Sequence, residues 1–131
     1  MSELATALVP TTIHAPFGTY AHGMLLQGAH RTVLTSGQLG ISKDGAIPPD
    51  IAAQARLCFL NIRHILAAAG MSAANVIHLR TYVTERAFFA PYMAARDEFL
   101  QGRQVASTLV IVSGFTRAEF LVEIEATAVA P

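Results

Sequence analysis

One segment constrains the fold more than any other. From Ile51 to Ala69, the residues Ile51, Ala55, Cys58, Ile62, Ile65, Leu66 and Ala69 recur at steps of three and four. That spacing lays a single apolar stripe along an α-helix. Gln54, Arg56, Asn61 and Arg63 fall largely off the stripe and interrupt the apolar run, so the segment cannot span a membrane. Asp50 stands where a side chain caps the first turn, and Gly70 where glycine closes a helix in the left-handed conformation at little cost. A helix that is apolar on one side only must lie against another layer.

The rest of the chain supplies that layer as β-strands. Tyr20 to Gln27 and Thr32 to Gly37 are short β-type runs around Gly28-Ala29-His30-Arg31, the pattern of a hairpin. Lys43-Asp44-Gly45 to Pro48-Pro49 is turn chemistry. Between Val76 and Thr84, alternation puts Ile77, Leu79 and Val83 on one face and His78, Arg80 and Tyr82 on the other. Phe88 to Leu100 reads as a second helix, with Pro91 tolerable in its first turn and Gly102 just beyond it. Ser107 to Ser113 and Phe120 to Val129 are β-branched runs without helical period. The predicted order is ββαβαββ in one domain over residues 1–131, an α+β fold with two helices on one face of a mixed sheet.

Composition narrows the partners. Nine basic and nine acidic residues cancel, so no basic field exists to hold a phosphate backbone or an anionic membrane. Charged residues are 14% of the chain and hydrophobic ones 53%, against roughly 25% charged in an ordinary soluble domain. Some of that apolar excess is expected to face another subunit. Cys58, the single cysteine, rules out an intramolecular disulfide and sits on the helix stripe, where a thiol behaves as a small buried hydrophobe. Leu4 to Val9 is apolar, but no basic residue precedes it and Pro10 ends it, which does not make a signal peptide. These features fit a cytoplasmic protein.

No phosphate-binding glycine loop, CxxC, HExxH or GxSxG motif is present. His14, His22, His30, His64 and His78 show no metal-ligand spacing on one predicted element, so neither a metal nor a cofactor is expected. Glu123 and Glu125 are different. They interrupt an apolar strand, Phe120 to Val129, and alternation projects both from one face, which cannot be a dry core. A carboxylate in a partly apolar cleft has its pKa raised and can exchange protons near neutral pH. Simple pairing at a sheet edge or subunit interface is the other reading. It is preferred for Glu125 and evenly balanced for Glu123.

Gly18-Thr19-Tyr20, Ser36-Gly37-Gln38, Ala52 to Ala55, Asn61-Ile62 with Ala68-Ala69-Gly70, Tyr82-Val83 and Glu123 to Ala126 form a series. In order and spacing the series resembles the signatures of the RidA (YjgF) family of small enamine/imine deaminases. The resemblance implies a chorismate-mutase-like homotrimer with a ligand cleft at each subunit boundary. It implies cleft roles for Tyr20 and Glu123 as catalytic residues and for Ser36, Ser107, Thr108 and Tyr92 as substrate-binding residues. Taken singly, Tyr20 also reads as an interface aromatic, Ser36 as a turn residue, and Ser107 and Thr108 as strand formers.

The chain departs from the family pattern at Ser107, where an arginine is usual, and at Thr19, Tyr92 and Leu109. Without that guanidinium an imino acid loses a bidentate carboxylate anchor. Arg103 lies four residues upstream, about 13 Å along an extended strand, and Arg80 and Arg117 have no assigned place. Two functions follow as expectations. One is hydrolysis or tautomerisation of a small imine, enamine or related carbonyl compound, with Glu123 as acid/base and no cofactor. The other is a trimer that binds a small ligand without turnover.

Overall fold

The computed structural model describes residues 4–131, so Met1 to Glu3 of the expected domain lie outside the described residues. In chain order the elements are β1 (Ala5–Leu8), β2 (Gly23–Leu26), β3 (Arg31–Leu34), β4 (Gln38–Leu39), α1 (Ile51–Ala68), β5 (Val76–Val83), α2 (Phe89–Leu100), β6 (Ala106–Ile111) and β7 (Val122–Ala130). Single 3-10 turns precede β5 and α2. The expected ββαβαββ order is present in β2, β3, α1, β5, α2, β6 and β7, with β1 and β4 in addition.

The helix signals act as their chemistry requires. Asp50 accepts a hydrogen bond from the Ala53 amide at the start of α1, and Gly70, at φ 70°, lets the Met71 amide fold back onto the Leu66 carbonyl. Pro91 lies in the first turn of α2. Among the described residues, no helix is long and apolar enough to cross a membrane.

Strand β7 organises the sheet. Antiparallel β5 runs along one side of it, and the other side is shared by β3 near the C-terminal end and β4 near the N-terminal end. Parallel β6 adds to the far edge of β5, giving the order β3-β7-β5-β6. The expected hairpin between residues 20–27 and 32–37 does not form. Strand β2 pairs with β1 in a separate two-stranded ribbon, and β3 pairs with β7, about a hundred residues away in sequence. The local turn signal at Gly28 is real, with φ at 82°, but it redirects the chain between two sheets instead of closing one.

Both helices cover the same sheet face. Cys58, Ile62 and Leu66 of α1 and Tyr92 and Phe99 of α2 pack on Leu79, Val83, Val122 and Ile124. Burial raises the Cys58 thiol to about 12, so it stays protonated in the core. Two residues depart from the sequence reading. A register break between Val76 and His78 takes Ile77 out of the alternation, and it packs with Leu4 and Val129 under the ribbon. Gln54, assigned to the polar side of α1, is fully buried. Its amide nitrogen donates to the Pro48 and Glu119 carbonyls, and its oxygen accepts from the Leu121 amide. A buried amide with three partners ties α1 to the loop that precedes it and to the loop that leads into β7.

Candidate functional site

The sheet face away from the helices carries the ionisable residues. Register places Tyr82 opposite Glu123 and Arg80 opposite Glu125, with Thr108 of β6 alongside Arg80. Glu125 is partnered: the Tyr82 hydroxyl donates to its Oε1 at 3.0 Å, and Arg80 Nε lies 3.5 Å from the same oxygen. That hydrogen bond, which needs the phenol proton, holds the Tyr82 pKa above its usual value. The carboxylate of Glu123, two residues earlier on the same face, has no hydrogen bond or ion pair among the described residues. Burial and then the charge of Glu125 hold its pKa above the ordinary glutamate value.

Glu123 is positioned by the break between β3 and β4. Thr35 ends the β3 pairing by exchanging bonds with Ala126, its amide donating to the carbonyl and its hydroxyl accepting from the amide. Pairing resumes at Gln38 and Leu39, opposite Ile124 and Glu123. Ser36 and Gly37 lie in the step between the two, and a Cβ on Gly37 would stand 2.6 Å from the Glu123 carboxyl carbon. Only glycine lets this backbone approach so closely. The step is held from behind by Asn61 of α1, whose amide donates to the Leu39 and Ile41 carbonyls. Packing against the Gln54 backbone leaves no room for a side chain at Gly40.

Tyr20 and β6 form a second group. The Ala21 amide donates to the Val105 carbonyl, and Ala21 bridges Ala106, so Tyr20 sits at the outer edge of β6. The Tyr20 hydroxyl accepts a bond from the Phe17 amide at 3.2 Å, which leaves its own proton free to donate. Its ring meets His22 edge-on at 6.4 Å. Ser107 is in register with Leu79 on the helix side of the sheet, whereas Thr108 is in register with Arg80 on the open side. No charged side chain occurs from Val105 to Val112.

Within one chain these two groups stay apart. Ser36 and Glu123 belong to the β4–β7 side, Tyr20, Ser107 and Thr108 to the β6 edge, and β5 runs between them. Two interstrand spacings amount to about 10 Å. Tyr92 joins neither group. It is fully buried on the helix side, stacked near Phe59, and its oxygen accepts a 2.6 Å hydrogen bond from Thr81. An aromatic ring placed mid-helix on the apolar side fills the core, so Tyr92 cannot line a cleft on the Glu123 face of this chain.

Of the unplaced arginines, Arg103 donates to the Ala73 and Val76 carbonyls at 2.8 and 3.0 Å, Arg117 lies over the Phe120 ring, and Arg80 pairs with Glu125. The sequence reading missed the part played by Gly37. Its signal was present as the glycine of the Ser36-Gly37-Gln38 run, but nothing local names the residue it faces.

The fold and this carboxylate-bearing face define a small α+β protein of two helices on a mixed sheet. The sequence model described as Endoribonuclease L-PSP matches residues 12–130. The chain is 31% identical over 130 residues to the 2-iminobutanoate/2-iminopropanoate deaminase of Escherichia coli K12, covering 96% of this chain and 95% of that protein. YyfB, a Rid-family protein from Yersinia pestis, superposes with a TM-score of 0.85 at 27% identity over 97% of this chain and 99% of YyfB. The structure of E. coli TdcF with bound serine superposes at 0.72, with 29% identity over 96% of this chain and all of TdcF. The chain belongs to the RidA (YjgF) family, which the Endoribonuclease L-PSP model describes.

Proposed function

We propose that this protein is a cofactor-independent, cytoplasmic hydrolase of small imines or enamines, working in clefts between the subunits of a homotrimer. The observation that carries the reading is Glu123: a carboxylate on an otherwise well-partnered face, pressed against the Gly37 backbone and ionising less readily than usual. Such a group can take a proton and return it within one cycle. Water adds to the imine carbon while Glu123 removes its proton. The nitrogen receives that proton to give the carbinolamine; Glu123 then takes the carbinolamine hydroxyl proton and passes it to the nitrogen as the carbon–nitrogen bond breaks, and ammonia leaves with the carbonyl product. The sum is imine plus water to carbonyl compound plus ammonia. Tautomerisation of an enamine needs only the proton transfer. Deaminase relatives at about 31% identity support the same class of reaction.

Separation and cover support the association of copies. Glu123 and the β6 residues cannot meet in one chain, so a cleft holding Tyr20, Ser36, Ser107, Thr108 and Glu123 has to be completed by a neighbouring copy. The open face also leaves Leu34 75% exposed on β3, surface that association would bury. A neutral β6 edge favours neutral or cationic imines over imino acids. It also keeps a second reading, a ligand-binding trimer without turnover, since no anchor for a carboxylate stands at residue 107.

The test uses purified protein and imines generated in the cuvette from amines or amino acids by an oxidase, with carbonyl release followed in time. Catalysis by wild type that is lost in Glu123→Gln supports the enzyme. Binding without turnover favours the second reading. Native mass near one or two 14.0 kDa chains in dilute neutral buffer would end the shared-cleft account.

A further inference from the structure

A hollow lies away from the Glu123 face. It has a volume of about 540 Å3 and lies where the β1–β2 ribbon meets the turn before β5 and the segment leading into β6. That volume falls in the range of ordinary small-molecule sites. Ala5, Ala7 and Met24 of the ribbon give it an apolar wall, Thr19 and Gln104 offer neutral hydrogen-bonding groups, and among the described residues Arg103 is its one charged lining residue.

Arg103 is held for this position. Two of its N–H groups are spent on the Ala73 and Val76 carbonyls, which fixes the plane of the guanidinium and leaves three of its five donors. No carboxylate lies within ion-pair distance of it among the described residues. Its partial burial, which disfavours the charged form, lowers its pKa. A half-buried cation lining a hollow that has no acidic residue among its described lining residues can receive an anion.

We infer that this hollow binds a small monocarboxylate with a short apolar chain, the carboxylate on the free edge of Arg103 and the chain against Ala5, Ala7 and Met24. A single guanidinium and an apolar wall match one negative charge better than the two of a phosphate. Thr19 adjoins Tyr20, so occupancy sets the position of the loop that presents the Tyr20 hydroxyl and links the hollow to the β6 edge. Binding in the hollow does not require Glu123.

Titration calorimetry with butanoate, and separately with inorganic phosphate, tests this on the full chain. Saturable butanoate binding that Arg103→Gln weakens at least tenfold is the expected result, with phosphate weaker than butanoate. Because Arg103 also secures two carbonyls, Ala7→Phe is the second variant. It fills the hollow without touching Arg103, and a strand position accepts an aromatic side chain. It too should abolish butanoate binding, while Glu123→Gln should leave it unchanged. The inference is overturned by no butanoate binding to wild type, by binding that survives both Arg103→Gln and Ala7→Phe, or by tighter binding of phosphate.

Discussion

Gly37 and Glu123 face each other so closely that a Cβ on the glycine would stand 2.6 Å from the carboxyl carbon and 2.7 Å from Oε1. The atoms in the way belong to the end of a flexible side chain, so Gly37→Ala should swing the carboxylate aside and leave the strand pairing intact. We expect imine turnover to fall at least about tenfold, since misplacing a catalytic group by 1 Å can cost about a hundredfold. The melting temperature should change little. Unfolding with the same loss of activity would mean that the glycine serves the fold alone.

Ionisation of Glu123 is opposed by burial and by Glu125. The acid limb of kcat/KM against pH should therefore lie above the usual glutamate value of about 4.3, and Glu125→Gln, which removes the like charge, should move it down. Stability follows with its own sign. A carboxyl whose folded pKa exceeds its unfolded one binds more protons when folded, so stability declines as pH rises from the unfolded to the folded value. Glu123→Gln should consequently be as stable as wild type or more so at pH 7, and lose that advantage in acid. A chemical-denaturation series across pH measures this, and a destabilised Glu123→Gln at neutral pH would contradict it.

Tyr92 gives a separable prediction, because its oxygen is the acceptor for buried Thr81 on the helix side of the sheet. Tyr92→Phe leaves the Thr81 hydroxyl without that partner and should cost about 1–3 kcal/mol of stability. With Tyr92 in the core, turnover per folded molecule should be unchanged. A specific loss of kcat with normal stability would place the phenol at the reacting centre.

The neutral β6 edge sets substrate choice. Wild type should turn over 2-aminoacrylate-type imino acids poorly, and Ser107→Arg should raise kcat/KM for them at least about tenfold by restoring a bidentate partner for the carboxylate. Coupled measurement of 2-oxo acid release decides it. Imino-acid activity already high in wild type would mean that another cation supplies the anchor.

What the sequence determined was everything carried by a repeat of a few residues. The stripe from Ile51, capped by Asp50 and closed by Gly70, folds as the α1 helix. The alternation in residues 122–127 sends Glu123 and Glu125 to one face and Val122, Ile124 and Ala126 to the other. These follow from backbone periods of 3.6 and 2, which act between near neighbours in the chain. Tertiary structure alone decided which strands pair. It sent β2 to β1 and β3 to β7, because a strand edge is satisfied by whichever backbone packing brings alongside, and Gly28 does not name that partner. The same cause buried Gln54 and Tyr92 and brought Gly37 onto Glu123. Each of these depends on residues tens of positions away, held there by the shared core and not by any local period.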